Sequence, residues 1–194
     1  MKAFSVKSAL VVILFLSLSS CKKDLVKDTQ ADTQITSDNA LQSLQIGQSY
    51  GGGIIFYLDS TRQHGFIAAK QDQSTGIAWD KGNHFLIGAT GKSLGTGKKN
   101  TNKIVNALGT TGSYAALLCK KFTGGGHTDW FLPSKAELNR MYNKRAVIPG
   151  LAATNYWSSS EVDAENAWDQ EFGGGFQFSD FKGFTLRVRA IRAF

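Results

Sequence analysis

The sequence predicts an α+β fold, and three observations predict it. Short apolar or alternating runs of strand length lie before residue 80 and again after residue 155. Between them, two stretches carry apolar residues at helical spacing, Ile104, Val105 and Leu108 in one and Tyr114, Leu117 and Leu118 in the other. At the centre, Asp129 to Leu138 places a strand, a stop and a helix start close together. Trp130, Phe131 and Leu132 suit a buried strand, and Pro133, with no N–H to donate, ends it. Ser134 and Glu137 then have the spacing of a capping box, in which each side chain bonds the other's backbone amide. Leu138, Met141 and Tyr142 continue at helical spacing to about Lys144.

In chain order, residues 1–20 read as a targeting segment. Lys2 and Lys7 give it a positive start, and Ala9 to Leu18 is an apolar core shorter than the roughly 20 residues of a membrane-spanning helix. Leu18-Ser19-Ser20-Cys21 matches the bacterial lipoprotein cleavage box, so Cys21 is expected to be acylated and to become the new N-terminus. Several acyl chains anchor stably where a single one is marginal. Residues 21–45 then form the lipidated cysteine and a polar tether without aromatics, which cannot bury enough surface to fold. Its coil reach is roughly 25–30 Å. Lys22 follows the cysteine in place of the aspartate that often retains lipoproteins at the inner membrane, so an outer-membrane lipoprotein is expected, on the periplasmic or the surface face.

The globular part spans residues 46–194. Gly51-Gly52-Gly53 introduces a strand at Ile54–Leu58, and Phe66–Ala69 returns as its hairpin partner across Asp59–Gly65. Ile77-Ala78-Trp79 is a short third strand. Residues 80–100 are a glycine-shaped loop. A phosphate loop ending at Gly91-Lys92-Ser93 would need glycine where Leu86 stands, and Gly95-Thr96-Gly97 lacks the third glycine of a dinucleotide turn. Asn100 or Thr101 is expected to cap the first helix, Gly109–Gly112 breaks it, and the second runs from Ser113 to Lys121. After the central corner, Tyr156–Glu161 and Asn166–Phe172 are strands, Gly173-Gly174-Gly175 a turn, and Thr185–Phe194 one closing strand with Leu186, Val188 and Ala190 on one face.

Composition narrows the function. Setting Lys2 and Lys7 aside leaves 20 basic residues against 15 acidic ones, a mild excess that suits anionic sugars or membrane surfaces. No dense basic cluster interleaved with aromatics is present, so nucleic acid is not an expected partner. Two cysteines, Cys21 and Cys119, are too few for a disulfide scaffold, and Cys119 reads as a small buried thiol. His64, His84 and His127 lie far apart and form no H-x-x-x-H, so neither metal nor cofactor is expected. Ser158, Ser159 and Ser160 lie outside any nucleophile elbow, and no recognisable set of convergent titratable groups suggests an enzyme. Glu161, Asp163 and Glu165 could line a cation site but read more simply as a solvated loop, and Asp129 reads as a structural ion-pair partner of the C-terminal arginines.

The blocks Asp129-Trp130-Phe131-Leu132-Pro133-Ser134-Lys135-Ala136-Glu137-Leu138-Asn139, Tyr156-Trp157-Ser158-Ser159-Ser160-Glu161, Ala167-Trp168 and Arg187-Val188-Arg189-Ala190-Ile191-Arg192 resemble a bacterial DUF1566 domain, also called the C-terminal domain of the Legionella collagen-like adhesin. Gly52–Tyr57 and Gly95–Thr101 match its earlier blocks, so the resemblance spans about residues 46–194. It implies a C-type-lectin-like fold, a twisted and mostly antiparallel sheet with two or three flanking helices and long glycine-rich loops. It also implies a surface binding or adhesion module, whose namesake is associated with sulfated glycosaminoglycans. The calcium–sugar tripeptides of true C-type lectins and their disulfides are absent, as are the paired active cysteines of the formylglycine-generating enzyme, a relative by fold.

The expected function is therefore a non-catalytic binding module on a lipid anchor, for anionic carbohydrate. Trp79, Trp157 and Trp168 are the stacking candidates, and Lys92, Lys98 and Lys99 the anion patch. The alternative is a structural or assembly component of the envelope that binds a protein partner.

Overall fold

The structure, a computed structural model, describes residues 43–194. The leader, Cys21 and all but the last residues of the tether lie outside the described residues.

The protein is α+β, as the strand and helix patterns require. Its strands are β1 (Ser49–Tyr50), β2 (Gly53–Leu58), β3 (Gly65–Ala69), β4 (Ser74–Ile77), β5 (Asn155–Glu161), β6 (Asn166–Glu171), β7 (Gln177–Phe181), β8 (Leu186–Val188) and β9 (Ile191–Ala193), and its α-helices are α1 (Gly97–Leu108), α2 (Ala115–Lys121) and α3 (Lys135–Asn143). They make two sheets, ordered β1-β2-β3-β9 and β4-β8-β5-β6-β7, antiparallel throughout except where β5 runs parallel to β8. The β2–β3 hairpin closes with Ile54 opposite Ala68 and Ile55 opposite Ile67. The deepest core gathers Ile55, Ile67, Trp79, Ile104, Leu117, Trp130, Trp157 and Val188. A second cluster, with Phe56, Phe131, Leu138, Met141 and Tyr156, lies under α3.

Four expectations are corrected. The closing strand is two strands: Val188 pairs in one sheet, Ile191 in the other, and Arg189 and Ala190 carry the chain across. Arg189 is buried at the crossing and holds it, donating from Nε to Asp72 (2.6 Å), from Nη1 to the carbonyls of Ala69 and Pro149 and from Nη2 to that of Gly150. Second, Trp130–Leu132 is extended but forms only a bridge, Phe131 to Ile191, with N–H···O bonds of 2.8 and 2.9 Å. Third, the first helix begins at Gly97, because Asn100 and Thr101 spend their side chains on tertiary bonds, Asn100 with Gly91 and Thr101 with Leu132. Fourth, β7 follows the Gly173–Gly175 turn and forms the edge of the larger sheet, with Phe178 opposite Asp169 and Ser179 opposite Trp168.

Candidate functional site

The central corner fastens a loop to a helix start. Ser134 Oγ accepts from the Glu137 N–H (3.3 Å) and Glu137 Oε2 accepts from the Ser134 N–H (2.7 Å), so the capping box forms as its spacing requires. Glu137 is fully buried, and burial lifts its carboxyl above the ordinary range against the bonds from Ser134 and Gly95. Its Oε1 also accepts from Gly95 N–H at 2.8 Å. Ser134 Oγ donates to the Ser93 carbonyl, and the Ala136 N–H donates to the Lys92 carbonyl at 2.9 Å. Lys135 N–H is taken by Ser160 Oγ, which itself donates to the Gly91 carbonyl. The corner therefore holds residues 91–95 against the first turn of α3, and its amides are spoken for. Any anion here must be held by side chains.

That clamp brings Lys92 beside Lys135, and both beside Trp168. The Lys135 ammonium lies 3.0 Å from the centre of the Trp168 ring, and that of Lys92 5.4 Å from it. Burial, and then the charge of Lys92, pull the Lys135 pKa below the usual lysine value. Among the described residues neither ammonium has a carboxylate within ion-pair distance. Trp168 is half-buried, and its indole N–H is enclosed without an acceptor among those residues. Polar groups adjoin it on the same face of β6 and β7. Gln170 pairs with Gln177 across the strands, Gln177 Nε2 donates to the Lys135 carbonyl (3.0 Å), and Gln170 Nε2 donates to Asn139 Oδ1 (2.9 Å). Two ammonium groups over one aromatic ring, bordered by amides, can attract acidic groups and hydrogen-bond hydroxyls.

The other expected site residues are placed elsewhere. Trp79 and Trp157 are core residues at 0% exposure, a correction to their reading as stacking platforms. Their indole N–H groups are satisfied by the carbonyls of Ser158 and Ile77. Lys98 and Lys99 are exposed on the first turn of α1, outside the Trp168 group. Burial opposes ionisation of Asp129, but its bond to Arg192 Nε (2.5 Å), the Arg192 charge and then Lys98 hold the carboxyl below its usual range. Trp130 is buried with its N–H on the Gly124 carbonyl. Pro133 carries the carbonyl that accepts from Ser159 N–H. Lys135 was part of the corner motif but not of the expected anion patch. Its place on Trp168 follows from the packing of α3 against β6, which no local pattern encodes.

Elsewhere, the solvated-loop reading is corrected for Glu161, which ends β5 buried and paired with Lys182, while Asp163 is exposed and caps Glu165 and Asn166. Cys119 is buried and free, and burial pushes its thiol well above the usual value. Among the described residues no group of three or more His, Cys, Asp or Glu is gathered as a metal site, and no helix is long and apolar enough to cross a membrane.

Among the described residues, two small sheets and three helices define an α+β domain that carries a cation–aromatic surface. A family model for the Lcl C-terminal domain matches residues 68–192, and the chain belongs to that family. Membership makes it a surface- or adhesion-related domain. No curated protein matches the chain.

Proposed function

We propose that this domain is a non-catalytic binding module that grips anionic carbohydrate on the face built by Lys92, Lys135 and Trp168, and that acylated Cys21 and the polar tether hold it at the outer membrane. The observation that carries the reading is the pair of ammonium groups gathered on one indole with no carboxylate partner among the described residues. Such a pair repels itself, and an incoming sulfate or carboxylate relieves the repulsion. Gln170 and the Gln177 Nε2 are committed to internal bonds, which leaves the Gln177 Oε1 to accept from a sugar hydroxyl. The lectin-like architecture implied by the family blocks agrees with this role.

The test is retention of the full chain on immobilised heparin in a sodium chloride gradient. K92A/K135A is expected to elute at clearly lower salt than the parent, because screening acts on fewer contacts. K98A/K99A is the control and should shift less. Equal elution of K92A/K135A and the parent sinks the proposal.

A second reading, an envelope assembly component that binds a protein partner, is favoured by one feature. Phe176, Phe178, Phe181 and Phe184 are exposed along and beside the edge strand β7, where unpaired backbone and apolar side chains coincide. Loss of an envelope partner on F178S/F181S, with heparin retention unchanged, would favour that reading.

A further inference from the structure

A cavity of about 340 Å³ opens between the β2–β3 hairpin and the C-terminal end of α3. That lies within the roughly 300–1,000 Å³ typical of small-molecule sites. Its apolar wall is Ile46, Tyr57 and Leu58, and its rim carries three cations, Arg62, Arg140 and Lys144. Asp59 is the one carboxylate that lines it, and the neutral amide of Asn143 lies beside it.

The cations are not explained by the helix they surround. Basic side chains favour the C-terminal end of a helix, but the Met141 and Tyr142 carbonyls at the end of α3 are already bonded without Arg62, the Arg140 guanidinium or the Lys144 ammonium. The Lys144 N–H serves Met141 and Tyr142, and Arg145 Nη1 serves Tyr142 at 3.2 Å. The Arg140 guanidinium instead lies 5.8 Å from the centre of the Tyr57 ring. Arg62 has a backbone φ of 58°, a left-handed conformation unusual for a residue with a side chain. Its Nη2 is pinned to the Leu44 carbonyl at 2.6 Å, which fixes the guanidinium at the rim. Asp59 is occupied locally, by the Thr61 hydroxyl at 2.7 Å, which leads in holding its carboxyl below the usual range, and by the His64 N–H at 3.5 Å. Among the described residues none of the three cations forms an ion pair. Positive charge in excess around a concave, aromatic-walled space calls for a ligand with both an apolar body and an acidic head.

We propose that this cavity is a second binding site, separate from the Trp168 face, for small amphipathic carboxylates. A ring-sized apolar body lies against Tyr57 and Leu58, and the carboxylate is held by Arg140 and Lys144 with Arg62 behind them. The ligand differs in class from a polysaccharide, which has no comparable apolar body.

The probe is 2-naphthoate, titrated into the full chain by isothermal calorimetry. Neutral 2-naphthol and inorganic phosphate serve as the two halves of its chemistry. Saturable naphthoate binding is expected, with naphthol at least about tenfold weaker because the charge-assisted bonds are missing. Phosphate in tenfold excess should not displace naphthoate. R140Q/K144Q, at two exposed positions, should weaken binding about tenfold or more, and R140K/K144R should recover part of it. K92A/K135A should leave it unchanged, which separates this site from the glycan reading. The proposal is overturned if naphthoate shows no saturable binding at millimolar concentration, if naphthol binds as tightly, if phosphate displaces it, or if K92A/K135A removes it.

Discussion

The ammonium of Lys182 lies 2.7 Å from Glu161 Oε1, and both side chains are fully buried. Around this pair a stretch of loop is assembled. Glu161 also accepts from the N–H groups of Ile87, Gly88 and Ala89, and Lys182 donates to the carbonyls of Phe85 and Ala164. The same ammonium sits 4.8 Å from the centre of the Trp79 ring. The glycine-shaped loop that precedes α1 is thus tied to the larger sheet by one internal ion pair.

Removing one partner strands the other. K182M leaves a buried carboxylate with amide donors but no counter-charge, and the expected loss is about 3–5 kcal/mol. The K182M/E161Q double variant should lose less than the sum of the single losses, since the uncompensated charge is gone. Urea unfolding of the four proteins measures both. A K182M loss below about 1 kcal/mol would show that the pair does not hold the loop.

Asp169 gives the fold a pH dependence of known sign. Burial pushes its carboxyl up to about 6, the Asn155 amide opposes the shift at 2.7 Å, and Asp180 adds to it. Oδ1 has no partner among the described residues. The folded pKa lies above the unfolded one, so the folded state binds the extra proton between about pH 4 and 6. Stability therefore falls as pH rises through that window and is flat beyond it. The penalty at pH 7 is about 3 kcal/mol, and of the order of 2 kcal/mol once solvent screening is allowed for. D169N removes the charge and keeps an acceptor for Asn155, so it should stabilise the protein at pH 7.5 and flatten the profile between pH 4 and 6. Thermal unfolding across that range reads the result, and a D169N profile parallel to that of the parent would refute the assignment.

Gly97 lies where a side chain cannot fit. A Cβ there would come 2.8 Å from Ser134 N and 2.9 Å from Leu132 O, and would collide with the Glu137 carboxylate. G97A must therefore displace the capping box, at a cost of about 1–3 kcal/mol. S134A removes one cap, at about 1 kcal/mol. Because the same bonds hold the Lys92 backbone at the head of α3, G97A should also weaken heparin retention, while Ile67→Val in β3, a core change of about 0.5–1.5 kcal/mol away from the corner, should not. Denaturant midpoints and column elution, taken together, test this.

Legibility in the sequence followed the range of the interactions. The box of Ser134 and Glu137 was readable because its partners are three residues apart, and the β2–β3 hairpin because its two apolar runs face each other across one loop. Strand β7 was not readable: Phe178 and Phe181 break the two-residue period, and the strand is defined by its register with β6. The break between β8 and β9 is set by Arg189, whose bonds reach Ala69, Asp72 and Pro149, far away in sequence. Asn100 and Thr101 resembled caps because a cap and a tertiary clamp use the same short polar side chains. Of the expected ligand residues, Lys92 and Trp168 are brought together by the fold, and Trp79 and Trp157 are taken into its core. The burial of a strand tryptophan such as Trp157 is decided by which face of its strand meets the helices, which the sequence does not state, while Trp79 lies beyond the end of β4 and is held by the Ser158 carbonyl and the Lys182 ammonium.

Lys135 offers a final test, because its titration reports on its neighbours. Burial against Trp168 leads in depressing its pKa, and the charge of Lys92 follows. K92A should therefore return the Lys135 pKa only part of the way to the ordinary lysine value, and W168A should return more. Carbon-detected NMR of the lysine side chains across the alkaline range resolves the two steps. An acidic ligand favours the charged ammonium, so heparin binding should raise the Lys135 pKa, and binding must by linkage weaken as pH rises through that value. In K135A this alkaline loss should be absent or displaced to higher pH. An identical pH profile in the parent and K135A would mean that the ammonium on the indole does not meet the ligand.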